Sequence, residues 1–318
     1  MPNTSPDRHY STAGEHGEAL TVAVTGAGGF VGGAVCSALD AAGYRVVRLA
    51  RRPIAGHPDT VLWDLRHGYQ GDGPLPAIDA VVHCAAAVST FDADGTAREA
   101  NVGGSVRIAE AWPGVPLVHI SSASVYPPSR GTPLKEDDAT GEGLRDPYAR
   151  SKWEAEVALV AEAERTGRPL TILRPSIIHG PGDTRILPAI HHLRLGGFVL
   201  LPGGRKLWSM TPVEVLTDAV VVALAARPSR PVVLNVAVDP PEPVRDLLRR
   251  LLEADVGRPL RAIPFPTLPI RAFAWCVEAV WRLLRLRREP LINRGSVAYL
   301  VEERILDLSR LRGTRGRS

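Results

Sequence analysis

The sequence predicts an α/β protein built on a doubly wound parallel sheet, with a smaller, mainly helical C-terminal lobe. From Leu20 to Arg174, short apolar runs rich in β-branched residues alternate with segments of helical periodicity. Alternation of this kind is typical of βαβ crossovers, which make neighbouring strands parallel. After Arg174 the alternation loosens, and four prolines within Arg258–Pro269 indicate a linker. The sheet is therefore expected in the first two thirds of the chain.

The predicted elements follow one another in a regular order. The first strand, Leu20–Thr25, leads through a glycine turn into a helix over Phe30–Ala42, which stops at Gly43. The further predicted strands are Tyr44–Ala50, Val61–Leu65, Ala80–Cys84, Leu117–Ser121, Leu170–Arg174 and Val232–Val236. The further predicted helices are Thr96–Trp112, Pro147–Arg165 with Asp146 as its N-cap, Asp183–Gly196, Pro212–Ala226, Val244–Ala254 and Leu268–Arg288.

This order predicts the domain organisation. We expect a loose tail over 1–18, a nucleotide-binding domain over 19–182 to which 206–237 partly returns, and a substrate-binding lobe over 183–205 and 238–318. The tail is polar and lacks the apolar core of a signal peptide. The apolar stretch Leu268–Leu286 carries too many charged residues for a bilayer span. A cytoplasmic protein without stable membrane insertion is the resulting expectation.

Composition excludes several classes of protein. The chain has 318 residues, of which 45% are hydrophobic, as in ordinary folded proteins. Cys36, Cys84 and Cys276 are odd in number and form no C-x-x-C pair, so we expect reduced core residues and no metal site. Most of the basic residues are arginines, and they are spread along the chain except for a cluster near its end, at Arg282, Arg285, Arg287 and Arg288. No aromatic residues interleave with them, and nucleic-acid binding is therefore not expected.

A glycine-rich segment directly follows the first predicted strand. In TGAGGFVG, residues 25–32, Gly26, Gly29 and Gly32 are spaced as G-x-x-G-x-x-G and open the first helix. Small residues let the backbone approach a pyrophosphate, whose charge is met by the free N–H groups of the helix N-terminus. The strand–turn–helix context predicts a Rossmann-type dinucleotide site, with a simple tight turn as the alternative.

Two further motifs carry acid/base chemistry. Tyr148 and Lys152 lie four residues apart in YARSK and therefore share one face of a predicted helix. A nearby ammonium favours the phenolate, which makes Tyr148 a usable proton donor and acceptor near neutral pH. Ser121 and Ser122 lie at the C-terminal end of the fifth strand, where open parallel sheets bind ligands.

With these motifs the sequence resembles the extended short-chain dehydrogenase/reductases, the NAD(P)-dependent epimerase/dehydratase group. The resemblance runs from Leu20 to Gly313 and includes DAVVHCAAA at 79–87, NVGGS at 101–105, RPSIIHGPGD at 174–183 and LNVA at 234–237. Its C-terminal part is nearer to the steroid dehydrogenases and dihydroflavonol-type ketoreductases. The resemblance implies a small-molecule substrate, and it leaves a homodimer open.

The resemblance also implies roles for single residues. Ser122 would hydrogen-bond the substrate oxygen, Tyr148 would exchange the proton, and Lys152 would bind the nicotinamide ribose and bias the Tyr148 pKa. Further positions would contact the cofactor. Besides Tyr148 and Lys152, these are Gly26, Gly29, Phe30, Val31, Gly32, Asp64, Leu65, Ala85, Ala86, Ala87, Pro175, Ile177 and Ile178.

Cofactor choice is read from the end of the second strand. A carboxylate there binds the ribose 2′-hydroxyl of NAD, whereas arginine meets the 2′-phosphate of NADP. This chain has Arg51 and Arg52 at that place. We therefore expect NADP, with NAD as the alternative.

Departures from the family pattern narrow the reaction. Ala123 and Ser124 replace the two carboxylates that the family's dehydratases use, and Ile177 replaces the asparagine with which its nucleotide-sugar epimerases hold a diphosphate. His179 is a candidate for a substrate contact, with a structural role as the alternative. For the apolar helix over 268–288 we expect core packing, with a pocket wall or a membrane contact as alternatives.

Three functions remain open from the sequence. The first is a ketoreductase or dehydrogenase that moves a hydride between the nicotinamide and a carbonyl or alcohol carbon. The second is a nucleotide-sugar epimerase that oxidises and re-reduces its substrate on tightly held NAD. The third is a non-catalytic, NAD(P)-sensing regulator, against which the intact Ser122, Tyr148 and Lys152 argue.

Overall fold

The computed structural model describes residues 19–89, 95–144, 146–184, 191, 194–202, 206–284, 286, 290 and 292–315. The predicted tail over 1–18 and most of the predicted helix Asp183–Gly196 lie outside these residues. At the described end of that helix the prediction is wrong, because Arg194–Leu195 is a short strand.

The elements are numbered in chain order. The strands are β1 Thr21–Thr25, β2 Arg45–Ala50, β3 Val61–Asp64, β4 Gly68–Tyr69, β5 Ala80–His83, β6 Leu117–Ile120, β7 Leu170–Pro175, β8 Ile177–His179, β9 Arg194–Leu195, β10 Phe198–Pro202, β11 Leu207–Trp208, β12 Met210–Pro212, β13 Val232–Val236, β14 Glu242–Pro243 and β15 Arg261–Phe265. The helices are α1 Phe30–Ala41, α2 Thr96–Arg98, α3 Gly104–Ala111, α4 Pro147–Thr166, α5 Val213–Ala226, α6 Val244–Val256, α7 Thr267–Leu283, α8 Arg294–Val301 and α9 Ser309–Arg315. A π-helical turn, Glu99–Gly103, joins α2 to α3.

The large sheet has the strand order β13-β7-β6-β5-β1-β2-β3-β4. All its neighbouring strands pair in parallel except β3 with β4. From β1 the chain adds β2 and β3 on one side, and then β5, β6 and β7 on the other side of β1. The gap between β1 and β5 is therefore the switch point, where doubly wound sheets bind ligands. The predicted Rossmann-type fold is confirmed.

Helices cover both faces of this sheet. Val22 and its neighbour Ala23 are both buried but belong to different core clusters, because successive residues of a strand face opposite sides. The Val22 cluster includes residues of α1 and α5, and the Ala23 cluster includes residues of α3 and α4. The sheet is therefore the middle of three layers, and a ligand can approach it at its strand ends.

The C-terminal lobe contains more sheet than the sequence predicted. A second, three-stranded sheet has the order β15-β10-β9, and β10 and β15 pair in parallel. The strand β15 lies within the proline-rich stretch that was interpreted as a linker. Within the described residues it is an edge strand that pairs with β10, and edge strands tolerate proline.

The expectation of core packing for the helix α7 is wrong. Only Ala274 among its residues is buried, and the side chains of Leu268 and Trp275 are 78% and 59% exposed.

The prediction that all three cysteines lie in the core is wrong for Cys276, which is exposed, whereas Cys36 is buried. None of the described helices combines the length and the apolar character that crossing a membrane requires.

Candidate active site

The glycine turn between β1 and α1 forms a tight cradle at the switch point. Gly26 has a φ of +68°, a conformation that side chains oppose. A Cβ atom on Gly26 would lie 3.0 Å from the backbone of Ala85, and one on Gly32 would lie 2.1 Å from the carbonyl oxygen of Gly26. The turn therefore requires glycine at both positions, and it brings backbone, without side chains, to the cleft.

The first turn of α1 is suited to a phosphate. Gly29 is its N-cap and supplies no side-chain hydrogen bond, and no acidic residue lies in the first turn. The N–H groups of a helix N-terminus and the helix dipole both favour an anion there. Cradle and helix together fit the pyrophosphate of a dinucleotide.

The loop after β5 is fixed by two buried side chains. The Ala85 N–H donates to the hydroxyl of Thr25, and the Ala87 N–H donates to Oδ1 of Asn101 at 2.7 Å. The Nδ2 group of Asn101 donates to the Ala87 carbonyl and to the hydroxyl of Ser151 on α4. Asn101 lies in the π-helical turn and thus connects the predicted cofactor loop to the helix that carries Tyr148.

Ser122 lies two residues after the end of β6. It is the N-cap of a 3₁₀ turn over Ala123–Val125, and its hydroxyl oxygen accepts a hydrogen bond from the Ser124 N–H at 3.1 Å. Because this bond uses the oxygen, the hydroxyl hydrogen stays available to a substrate oxygen.

Tyr148 and Lys152 lie one turn apart near the N-terminus of α4. Asp146 caps this helix as predicted, by accepting from the Tyr148 N–H at 2.8 Å, and Pro147 occupies the first turn. The Lys152 ammonium donates to the Ile120 carbonyl at the end of β6, at 2.8 Å. This hydrogen bond holds α4 against the end of β6, two residues before Ser122.

The surroundings of Lys152 lower the pKa of its ammonium group. Lys152 is 2% exposed, and its Nζ lies 3.3 Å from Nε2 of His119. Burial lowers the pKa of Lys152 to about 8, although the carboxylate of Glu156 acts in the opposite direction. Burial also lowers the pKa of His83 to about 3 and that of His119 well below its usual value, so both rings are neutral. Lys152 is therefore the cation of this buried cluster near neutral pH.

A buried ion pair lies behind the site. The side chains of Arg174 and Glu156 are only 4% and 3% exposed, and the Arg174 Nε donates to both carboxylate oxygens of Glu156 at 3.0 and 3.2 Å. Arg174 also donates to the hydroxyl of Tyr126 at 2.8 Å, and Ser121 donates to Glu156. These contacts join β7, α4 and the segment after β6, and so fix the relative positions of Ser122 and Tyr148.

One cleft, with a volume of about 1910 Å³, collects the residues that the sequence singled out. Every residue that the sequence predicted to be catalytic or to contact the cofactor lines it. They are Gly26, Gly29, Phe30, Val31, Gly32, Arg51, Arg52, Asp64, Leu65, Ala85, Ala86, Ala87, Ser122, Tyr148, Lys152, Pro175, Ile177 and Ile178.

The two arginines at the end of β2 are exposed at one end of this cleft. Among the residues that the structure describes, neither Arg51 nor Arg52 has a carboxylate within ion-pair distance. Asp64, in contrast, is engaged locally, since its Oδ1 accepts from the N–H groups of Arg66 and His67. The local charge at this end of the cleft suits an additional phosphate.

Sequence reasoning missed the outer part of the cleft. Its wall is mostly apolar and comes from the C-terminal lobe, with one guanidinium, that of Arg304, which is 11% exposed. Apart from Arg304, these residues come from five elements, β11, α6, β15, α7 and α8, and share no motif, so only the fold brings them together. The apolar members are Trp208, Leu248, Phe265, Ile270, Val297 and Val301.

His179 ends β8 and pairs with Pro212 of β12. It is half-buried, and burial lowers its pKa. It is not among the residues that line the described cleft. The structure therefore favours the structural role over a substrate contact.

A family model described as the NAD-dependent epimerase/dehydratase family matches residues 22–237. A 2-alkyl-3-oxoalkanoate reductase of Stenotrophomonas maltophilia is 31% identical over 298 residues, covering 86% of this chain and 87% of that protein. A 4-hydroxy-2-methyl-3-oxo-4-farnesyl-3,4-dihydroquinoline-1-oxide ketoreductase of Stigmatella aurantiaca is 30% identical, covering 82% and 80%. A UDP-glucose 4-epimerase of Vibrio cholerae is 28% identical, covering 83% and 82%.

Solved structures share the fold. MoeE5 in complex with UDP-glucuronic acid and NAD has a TM-score of 0.68 at 23% identity, covering 93% of this chain and 92% of the other. Human epimerase family protein SDR39U1 (isoform 2) with NADPH has a TM-score of 0.70 at 20% identity, covering 93% and 94%. With the family match over two thirds of its length, the chain belongs to the NAD-dependent epimerase/dehydratase family and is an NAD(P)-dependent enzyme of the short-chain dehydrogenase/reductase type.

Proposed function

We propose that the enzyme is a ketoreductase, which reduces a ketone of an apolar small molecule with NADPH. The observation that carries this proposal is the composition of the cleft. Ser122, Tyr148 and Lys152 lie in the same cleft as an outer wall that is mostly apolar. Buried apolar surface selects an apolar substrate, and the few polar groups fix its orientation.

The residues present fit a bound nicotinamide dinucleotide. Gly26, Gly29 and Gly32 would hold the pyrophosphate, and the ammonium of Lys152 would hydrogen-bond the nicotinamide ribose. When bound, the cofactor supplies a hydride at C4 of its nicotinamide ring.

The protein supplies orientation and the proton. The Ser122 hydroxyl donates a hydrogen bond to the ketone oxygen and so fixes the carbonyl carbon. Tyr148 donates its phenolic proton to the same oxygen as the carbonyl becomes an alcohol, and the Lys152 ammonium stabilises the resulting phenolate. In balance, ketone, NADPH and one proton give alcohol and NADP⁺.

The residue types at positions 123 and 124 support reduction over elimination of water. Ala123 and Ser124 are buried in the 3₁₀ turn after Ser122, and neither can act as the acid or base of a dehydration. The exposed Arg51 and Arg52 support NADPH over NADH, because a guanidinium pairs with a 2′-phosphate.

A nucleotide-sugar epimerase is the second candidate. The observation that favours it is Arg304, whose guanidinium lies in the outer wall, where a sugar diphosphate would need a cation. The apolar residues around it and Ile177 argue against a strongly charged substrate.

An experiment that follows deuterium transfer distinguishes the ketoreductase from the epimerase. A 2-alkyl-3-oxoalkanoate, the kind of substrate named for the Stenotrophomonas relative, is incubated with NADPH deuterated at C4. We expect a deuterated alcohol and one NADP⁺ per product, and a loss of turnover of at least about 10³-fold in Tyr148→Phe with little change in NADPH affinity. Tyr69→Phe, on the edge strand β4, is the matched control.

The reductase assignment fails if this ketone is not reduced while UDP-glucose is converted without consumption of added cofactor. That outcome would establish the epimerase. Turnover by Tyr148→Phe at the wild-type rate would overturn the role of the tyrosine.

A further inference from the structure

The exposed apolar side chains of the described part of the chain are concentrated in one place. Of the eleven large apolar side chains that are exposed in the described structure, seven lie between positions 268 and 286. Soluble proteins rarely expose contiguous apolar patches of this kind unless they bind a partner or a membrane there. These seven side chains are Leu268, Phe273, Trp275, Val280, Leu283, Leu284 and Leu286.

The helix α7 presents this surface as one continuous face. At about 100° per residue, the exposed apolar positions of α7 cover roughly half of the helix circumference. The opposite side packs on α8, where Ala274 and Ile270 contact Val297 and Val301. The exposed half contains no charged residue between Leu268 and Leu283, and the residues that the structure describes leave this apolar face uncovered.

The charges around the apolar face are basic. Arg271 and Arg282 lie at its border and are 50% and 66% exposed, whereas the carboxylates that they pair with, those of Glu302 and Glu278, belong to side chains that are 24% and 13% exposed. Directly after α7 the sequence continues with further arginines and one glutamate, at positions 285, 287, 288 and 289. An apolar face bordered by arginine is typical of helices that lie in the interface of an anionic bilayer.

We propose that the apolar face of α7 docks on the surface of an anionic phospholipid bilayer. Trp275 and the neighbouring leucines enter the region between headgroups and acyl chains, while Arg271 and Arg282 contact lipid phosphates. A second copy of the chain would bring the same two arginines to the contact, whereas an anionic bilayer supplies counter-charges along the whole border, which makes the second copy the poorer occupant.

Docking there also brings the cleft close to the lipid. Pro266, Pro269 and Ile270, at the start of α7, line the cleft, and Leu268 between them is exposed on the apolar face. An apolar substrate dissolved in the bilayer would then enter the cleft from the docked side. The docking itself does not depend on which reaction the enzyme catalyses.

Vesicle flotation tests the proposal. The full chain is mixed with vesicles of phosphatidylglycerol and phosphatidylcholine, or of phosphatidylcholine alone, at low and high salt. We expect binding to the anionic vesicles that weakens with salt, and a reduction in partitioning of at least about tenfold in the double variant Trp275→Glu, Leu283→Glu. The matched control is Val157→Glu on α4, which changes a side chain of similar exposure, 51%, outside the face and should bind as the wild type does.

Two readouts separate this result from a folding defect and from the proposed reaction. Because the replaced side chains are exposed and outside the cleft, the double variant should keep the wild-type melting temperature and NADPH affinity. Equal binding of wild type and double variant, or absence of binding to anionic vesicles, would overturn the proposal. So would equal binding to phosphatidylcholine alone, or a dimer in light scattering that the double variant abolishes.

Discussion

At the scale of single residues, Arg51 and Arg52 are expected to decide the choice of cofactor. A charge-assisted hydrogen bond to the 2′-phosphate contributes about 1.5 to 3 kcal/mol, which is at least about tenfold in affinity. We therefore expect the double variant Arg51→Ala, Arg52→Ala to bind NADPH at least about tenfold more weakly and NADH almost unchanged. Calorimetric titration of both cofactors measures this, with Arg45→Ala at the start of β2 as control. An equal loss for NADPH and NADH would contradict the assignment.

The protonation of Lys152 predicts two opposite effects of pH. Its pKa is lowered to about 8 by burial, so the folded protein loses this charge as pH rises through 8. NADPH affinity should fall over that range, because the ribose contact needs the ammonium. In the unfolded chain the pKa stays near its ordinary 10.5, so between pH 8 and 10.5 the unfolded state binds more protons, and this group raises the free energy of unfolding as pH rises.

The comparison with Lys152→Met isolates both effects. NADPH dissociation constants and melting temperatures are measured for both proteins from pH 6.5 to about 10. The wild type should lose affinity and gain stability relative to the variant as pH rises. Parallel pH profiles of the two proteins would show that Lys152 does not titrate in this range.

The roles of residues were predicted where a motif carried them and missed where only the fold does. The glycines, Tyr148 and Lys152 stand at fixed spacings that chemistry requires, so the sequence reveals them. Arg304 and Trp208 line the same cleft but lie far apart in the chain and without a motif. Residues that meet only through tertiary packing leave no local pattern in one sequence.

At the scale of elements, the glycine turn depends on one close contact. A Cβ atom on Gly32 would lie 2.1 Å from the Gly26 oxygen, so Gly32→Ala must push α1 away from the turn. We expect a lower melting temperature and at least about tenfold weaker NADPH binding, since the helix N-terminus moves with it. At Gly33 a Cβ would lie 3.5 Å from Ala27, an ordinary contact. Gly33→Ala is thus the matched control and should gain about 0.5–1 kcal/mol from helix propensity.

Fluorescence titration with NADPH and thermal unfolding measure both variants. Wild-type NADPH affinity in Gly32→Ala would show that the turn does not hold the pyrophosphate.

Seven of the eight strands of the large sheet were predicted to within one residue, and only the short β4 was missed. In the C-terminal lobe the helix α6 was predicted to within two residues, whereas the strands of the second sheet were not predicted. Strands such as β1 and β5 are short β-branched runs that are buried on both faces, which is a strong signal. The strand β15 lies at the edge of its sheet and contains Pro264, and a proline in a short segment is more typical of a loop. The π-helical turn that contains Asn101 differs from an α-helix by one residue in its hydrogen-bond register. A difference this small does not change the sequence periodicity, so the turn could not be predicted.

At the scale of the whole molecule, a buried polar network joins the sheet to the C-terminal segment. The Tyr126 hydroxyl donates to Oδ1 of Asn235 on β13 at 2.7 Å, and burial raises the pKa of Tyr126 to about 12, so this donor stays protonated. The Nδ2 group of Asn235 donates to the carbonyls of Leu134 and Asp307. The chain end is thereby fixed to the sheet that carries the site, and we expect the parts to unfold together.

The ion pair at the centre of this network gives the last prediction. Glu156→Gln leaves the Arg174 guanidinium buried without its counter-charge, because both side chains are less than 5% exposed. Breaking a buried pair in this way costs about 3–5 kcal/mol. Glu242→Gln removes a carboxylate from an exposed pair with Arg250 and should cost at most about 1 kcal/mol. Urea unfolding followed by circular dichroism measures both, and a single transition whose midpoint drops only in Glu156→Gln is expected. Equal small losses in the two variants, or a separate early transition of the C-terminal lobe, would show that the network does not join the molecule.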